Sequence, residues 1–174
     1  IDGNVHRAIR HVNENGSAHY FTPDGESLEG LFLRSPMRIS RVTSTFSNNR
    51  FHPVLKKWRP HKGVDYGGAI GDPVMATGDG VVAFAGHKGH YGRVIIIQHG
   101  KKYSTLYAHL SRFSKAIRSG RNVTQGQVIG YVGSSGLSTG PHLHYEFRVD
   151  GVHKNPLTVK LPRSFAIERQ ARTE

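Results

Sequence analysis

The 174-residue chain is long enough for one ordinary domain, and its 36% hydrophobic content with 21 scattered glycines suits a compact β-rich core with many tight turns. It has no cysteine, which excludes disulfides and thiolate metal sites, so any zinc here must be held by histidine and carboxylate. A net charge of +12 and a pI near 10.3 favour polyanions such as nucleic acid, anionic headgroups or an acidic cell wall. Basic residues occur in nearly every segment rather than in one block, which argues against a dedicated nucleic-acid arm. The chain starts at Ile1, with no visible signal peptide or membrane span, so a mature product or a piece of something longer is expected.

Residues 1–40 differ from the rest. Val5 to Val12 suits a short helix end, Ala18 to Thr22 with Pro23-Asp24-Gly25 reads as a strand and turn, and Leu28 to Leu33 has short-helix spacing. That is too little for a core, so the expectation is the tail of an upstream domain or a strap on the main one. From Arg41 to about residue 160 the pattern becomes β. Val74 to Thr77 and Gly80 to Ala85 are strand-like, and Val94 to Ile97 is apolar on both faces, as in a strand covered on both sides. His99-Gly100-Lys101 is a turn signal, and Tyr103 to Leu110 alternates, with Tyr103, Thr105, Tyr107 and His109 on one face. The two flanking strands form an expected hairpin. Val128 to Val132 is a short strand, and Ser134 to Gly140 a polar loop. His142 to Val149 alternates again, with His142, His144, Glu146 and Arg148 pointing one way. Residues 161–174 read as a polar tail. The expected fold is mainly β, an antiparallel sheet with a groove over one face, preceded by a short helical or loop segment.

Three segments carry chemistry: His61-Lys62-Gly63-Val64-Asp65, Tyr107-Ala108-His109 and Gly140-Pro141-His142-Leu143-His144. His61 and Asp65 are too far apart on an extended strand, about 13 Å between Cα atoms, to share an ion. A bend at Gly63 would bring them together, with His61 on a loop and Asp65 near a strand start. The third ligand comes from the His142/His144 pair, whose rings project from one face about 6–7 Å apart. One binds metal and the other faces substrate. His109 joins them if its strand is a neighbour. Glu146 shares their face, either orienting an imidazole or forming an exposed salt bridge. The remaining histidines, including His99 and His153, read as surface or turn residues, while His52 and His90 are able to border the groove.

These segments also carry a family resemblance. The H-x-x-x-D, A-H-L and T-G-P-H-L-H motifs resemble the lysostaphin/LytM type of zinc peptidoglycan endopeptidase. So do Ser44-Thr45-Phe46, Arg50-Phe51-His52-Pro53, Gly71-Asp72-Pro73-Val74, Gly78-Asp79-Gly80-Val81-Val82, Tyr91-Gly92 and Gly126-Gln127-Val128-Ile129-Gly130, in order and spacing. The likeness covers roughly residues 36–157. Upstream, Asp24 to Leu28 and Phe32 to Pro36 resemble the lead-in of Gram-negative murein DD-endopeptidases. The resemblance implies one zinc ion per chain on His61, Asp65 and His144, with His109 and His142 catalytic. Ser47 departs from the Gly usual after the Phe, a change at the groove wall that touches no ligand.

The implied activity is zinc-dependent hydrolysis of peptidoglycan peptide cross-links, D-alanyl–meso-diaminopimelate rather than oligoglycine. The implied partners are stem peptides and an anionic envelope surface, with no specific nucleic acid, and a monomer is expected. Such a substrate implies a periplasmic setting, with an export or anchor segment upstream of Ile1. The alternative is a non-catalytic wall-binding or amidase-activating module. Because that role goes with lost ligands, the five intact positions argue against it. A basic nucleic-acid binder has net charge alone in its favour.

Overall fold

The structure is a computed structural model that describes residues 9–12, 18–21, 30–52 and 56–162. The chain divides into two compact units, Ile1–Phe32 with Lys160–Glu174, and Leu33–Val159. In the first unit, β1 (Ile9–Val12) pairs antiparallel with β2 (Ala18–Phe21). Residues 9–12 are therefore strand where a helix end was expected, and residues 30–33 are irregular. A single helical turn gains little from its own hydrogen bonds, and pairing with a neighbouring segment satisfies the backbone better. The strand expected at Ala18 is present; its turn at Pro23 to Gly25 lies outside the described residues, as do residues 5–8 and 28–29 of the two helix expectations.

The second unit is built from strands β3 (Arg41–Ser44), β4 (Ser47–His52), β5 (Lys57–His61), β6 (Val64–Gly67), β7 (Pro73–Met75) and β8 (Gly80–His87). They continue with β9 (Arg93–His99), β10 (Tyr103–Leu110), β11 (Arg112–Phe113), β12 (Asn122–Val123), β13 (Val128–Tyr131), β14 (His142–Val149) and β15 (Val152–Lys154). A 3₁₀ turn, Gly89–Tyr91, lies between β8 and β9. The main sheet runs β12-β8-β9-β10-β14-β6-β3, all antiparallel, with β15 also on β14. β9 and β10 form the expected hairpin. A smaller sheet, β11-β13-β7, and the hairpin β4-β5 complete the unit.

Register fixes which side chains share a face. Tyr107 lies opposite both Ile95 and Tyr145, and Thr105 opposite Ile97 and Phe147. All of these are fully buried. The Tyr107 and Tyr145 hydroxyls are both hydrogen-bonded to Thr77 Oγ1, at 3.1 and 3.0 Å. The small sheet covers this face, since a Cβ on Gly130 of β13 would lie 3.5 Å from Ile95 Cδ1. The opposite face carries Leu106 and Ala108 of β10 against Val94, with Phe84, Tyr91 and Ile96 packed on them. On that same face, Ala108 stands opposite His144 and Leu106 opposite Glu146. The sheet thus has an apolar side that anchors it and a second side that grades from apolar into histidine and carboxylate. Among the described residues no helix is long and apolar enough to cross a membrane.

Candidate active site

His61 closes β5 and Asp65 is the second residue of β6, so His61 belongs to a strand end rather than to the expected loop. Pairing of β5 with β4, Ser47 opposite His61, draws it into the hairpin. The bend between β5 and β6 sits at Gly63, as expected, and Gly63 has a second role. A Cβ there would lie 2.5 Å from the Tyr145 carbonyl oxygen and 2.7 Å from His144 Cε1, closer than any side chain tolerates. Only glycine lets the His144 ring lie against this bend.

β6 pairs with β14 so that Asp65 faces His144 directly. Asp65 Oδ1 lies 3.0 Å from His61 Nε2 and 2.8 Å from His144 Nδ1, and the two nitrogens are 3.2 Å apart. Zinc bonds of about 2.0–2.2 Å in a tetrahedral shell set neighbouring donor atoms roughly 3.3–3.6 Å apart. The triangle of two imidazole nitrogens and one carboxylate oxygen therefore fits zinc after an outward shift of a few tenths of an ångström. All three side chains are buried or nearly so.

Each of four rings has one nitrogen fixed by an oxygen and the other turned inward. His61 Nδ1 donates to the Thr45 carbonyl at 2.8 Å, leaving Nε2 on the triangle. His144 Nε2 donates to Glu146 Oε1 at 3.1 Å, leaving Nδ1 there. His109 Nδ1 donates to the Ser135 carbonyl at 2.8 Å, and His142 Nδ1 to the Gly140 carbonyl at 2.9 Å. The last two rings lie 4.7 Å apart between centroids, and His142 Nε2 is 3.9 Å from Asp65 Oδ1. All five sequence candidates thus converge on one cavity of about 560 Å³.

His109 reaches the cavity by a route the sequence does not reveal. β10 does neighbour β14, but the Tyr107 face is the buried face opposite His144, so strict alternation would turn His109 away from the cavity. A β-bulge between Tyr107 and Leu110, with His109 at φ 60°, re-aims the ring. Such a left-handed conformation in a non-glycine residue is uncommon and gathers at functional sites.

Glu146 is 1% exposed, which removes the exposed salt-bridge alternative. Its Oε1 accepts from His144 and from the Tyr91 hydroxyl at 2.7 Å. Its Oε2 accepts from Arg148 Nε at 3.0 Å and His153 Nε2 at 2.9 Å. His153 is therefore half-buried and bonded rather than a plain turn residue. His99 is fully buried, with Nδ1 2.7 Å from the Asp79 carbonyl and Nε2 2.7 Å from Thr105 Oγ1. Its place at the sequence-level turn hid the fact that it still ends β9. His90 borders the cavity, whereas the His52 side chain lies outside the described residues.

The electrostatics follow the packing. Burial raises the Asp65 carboxyl, but hydrogen bonds from His144 and His61 outweigh it and hold the group well below the ordinary carboxylate range. Burial also opposes charge on His144, yet Asp65 and Glu146 on its two nitrogens push its pKa up to about 9 without metal. Glu146 resists its own burial through His144, Tyr91 and Arg148 and falls to about 2. His109 is driven down to about 4 by burial, with His142 and His144 adding to the fall. The packing thus favours the neutral imidazole, with its Nδ1 proton on the Ser135 carbonyl.

Comparison with known proteins agrees with this geometry. The Peptidase family M23 model matches residues 59–156. The chain is 41% identical over 161 residues to peptidoglycan DD-endopeptidase ShyC of Vibrio cholerae, covering 92% of this chain and 37% of the relative. It is 50% identical over 141 residues to DD-carboxypeptidase/endopeptidase Mpg of Neisseria meningitidis, covering 80% of this chain and 32% of the relative. The chain thus spans about a third of the length of these curated relatives. A crystal structure of a zinc-containing peptidase from Vibrio cholerae superimposes with a TM-score of 0.72 at 34% identity, over 89% of this chain and 47% of that one. With the family match spanning more than half its length and a donor triangle suited to zinc, the chain belongs to peptidase family M23.

Proposed function

We propose that the chain hydrolyses peptide cross-links of peptidoglycan, D-alanyl–meso-diaminopimelate bonds in particular, using zinc held by His61, Asp65 and His144. The observation that carries this reading is the donor triangle beside two rings whose Nε2 atoms are left open by bonds at Nδ1. Zinc there supplies Lewis acidity toward a substrate carbonyl and lowers the pKa of water. His109 or His142 takes the proton of the attacking water at Nε2, and the pair returns it to the leaving amine. The Ser135 and Gly140 carbonyls keep each ring in the tautomer with a free Nε2. No covalent acyl-enzyme is required.

The substrate class is supported by relatives named for DD-endopeptidase activity and by the net charge of +12, which suits an anionic wall. The same chemistry sets the proposed location in the cell envelope, on the periplasmic side in a Gram-negative cell. Zinc-loaded protein incubated with muropeptide dimers should yield monomers by mass analysis, and a chelator should stop this. Intact dimers after incubation with loaded protein, or cleavage indifferent to the chelator, would rule the function out.

A further inference from the structure

The hairpin β4-β5 places two arginines side by side on the cavity wall. Arg50 and Arg59 are direct cross-strand partners, and both line the cavity. Alternation sends their neighbours Phe51 and Trp58, also a direct pair, to the other face, where they are exposed. Like charges directly opposite on a strand pair destabilise it, so stability alone gives no reason for this arrangement.

Among the described residues the cavity gives the pair one ion-pair contact, a long one from Arg50 to Asp65. Its two acidic residues are Asp65, bonded to His61 and His144, and Glu146, which is saturated by four side chains. Arg50 Nη2 approaches the outer Asp65 oxygen only to 3.8 Å, while its Nη1 donates to Ser44 Oγ. Arg59 forms no ion pair among the described residues. With a cation on the donor triangle, the Asp65 charge is compensated there, and the guanidinium pair faces the cavity unopposed.

We infer that Arg50 and Arg59 form a subsite for a free carboxylate carried on the carbon attached to the scissile nitrogen of the substrate. Guanidinium groups match a carboxylate through paired, charge-assisted hydrogen bonds. Arg50 stands beside the proposed metal ligand Asp65, so a carboxylate bound to it lies within about one residue of the carbonyl under attack. This deepens the proposed function and rests on it. In a D-alanyl–meso-diaminopimelate link, the carbon bearing the scissile nitrogen carries such a carboxylate. A peptide ending in D-alanyl-D-alanine carries the same group at its terminus. An oligoglycine bridge has none at its internal bonds.

The test uses two substrates, a cross-linked muropeptide dimer and a linear peptide ending in D-alanyl-D-alanine. Each is prepared with that carboxylate free and as its amide. The readout is the free-acid to amide ratio of kcat/KM, which cancels any general loss of zinc or folding. Wild type should prefer the acid by about 10- to 100-fold, and Arg59→Gln and Arg50→Gln should bring the ratio toward one. A ratio near one in wild type, or a ratio unmoved in both variants, overturns the inference. Preference confined to one substrate identifies which source of the carboxylate the subsite takes. If loaded wild type cleaves neither substrate, the proposed function falls. Calorimetric binding of the acid and amide forms then decides the subsite by the same ratio, read as affinities.

Discussion

Glu146 Oε1 lies 3.1 Å from His144 Nε2, and this contact decides which nitrogen of His144 faces Asp65. The carboxylate is buried, held from four sides, and stays ionised despite its burial. A carboxylate behind a metal-binding imidazole fixes the ring's tautomer and raises its basicity. Replacing Glu146 with Gln or Ala should weaken zinc binding about 10- to 100-fold, measured by competition with a chromogenic chelator. Unaltered zinc affinity in folded Glu146→Ala would show that the contact is only structural.

His109 and His142 stand outside the donor triangle, so zinc content and turnover should separate in their variants. His109→Ala and His142→Ala should each keep one zinc per chain while kcat falls by about 10²- to 10⁴-fold. Metal analysis and steady-state kinetics on the same preparation check this. Loss of zinc along with activity would place the ring among the ligands instead.

Gly63→Ala should be harmful although it adds one methyl. The new Cβ meets the backbone oxygen of Tyr145 and the His144 ring, and the backbone cannot yield. Overpacking of this kind costs about 1–3 kcal/mol and should also push His144 off the triangle. Calorimetry and zinc titration should both register the change. A variant as stable and as zinc-avid as wild type would mean that the β5–β6 bend has room to spare.

The metal-free protein should carry a specific pH signature. The folded pKa of His144 is raised from 6.5 to about 9, so its contribution to stability is complete below 6.5 and is lost as pH climbs through 9. Asp65 is depressed below 3.8, so its contribution is present above that value and is lost on acidification. The melting temperature of metal-free protein should therefore fall between pH 6.5 and 9. If His144 holds zinc as proposed, the metal would stand in for its Nδ1 proton, and the loaded protein should not share that fall. A metal-free melting temperature that is flat or rising across this window contradicts the assignment.

Much of the site could be read from the chain because strand periodicity is strict. His144, Glu146 and the bend at Gly63 all follow from residue order, and alternation along β14 places the first two on one face. What stayed hidden depends on departures from periodicity or on partners distant in sequence. His109 needed a bulge, and a bulge is set by how β10 meets β9 rather than by residue types in β10. Glu146 looked as exposed as bonded because Tyr91 and His153, which help to bury it, come from separate segments. Residues 9–12, at the end of the helix expected over Val5 to Val12, are strand for a related reason, since a short apolar run takes whichever form its neighbours can pair with.

The most direct test of the central claim is the zinc stoichiometry of wild type and of His61→Ala, Asp65→Ala and His144→Ala, after loading and exhaustive dialysis. Wild type should retain one zinc per chain and each variant should fall far below that, with folding checked by circular dichroism. Full retention of zinc in any one of the three folded variants would contradict a centre built on those ligands.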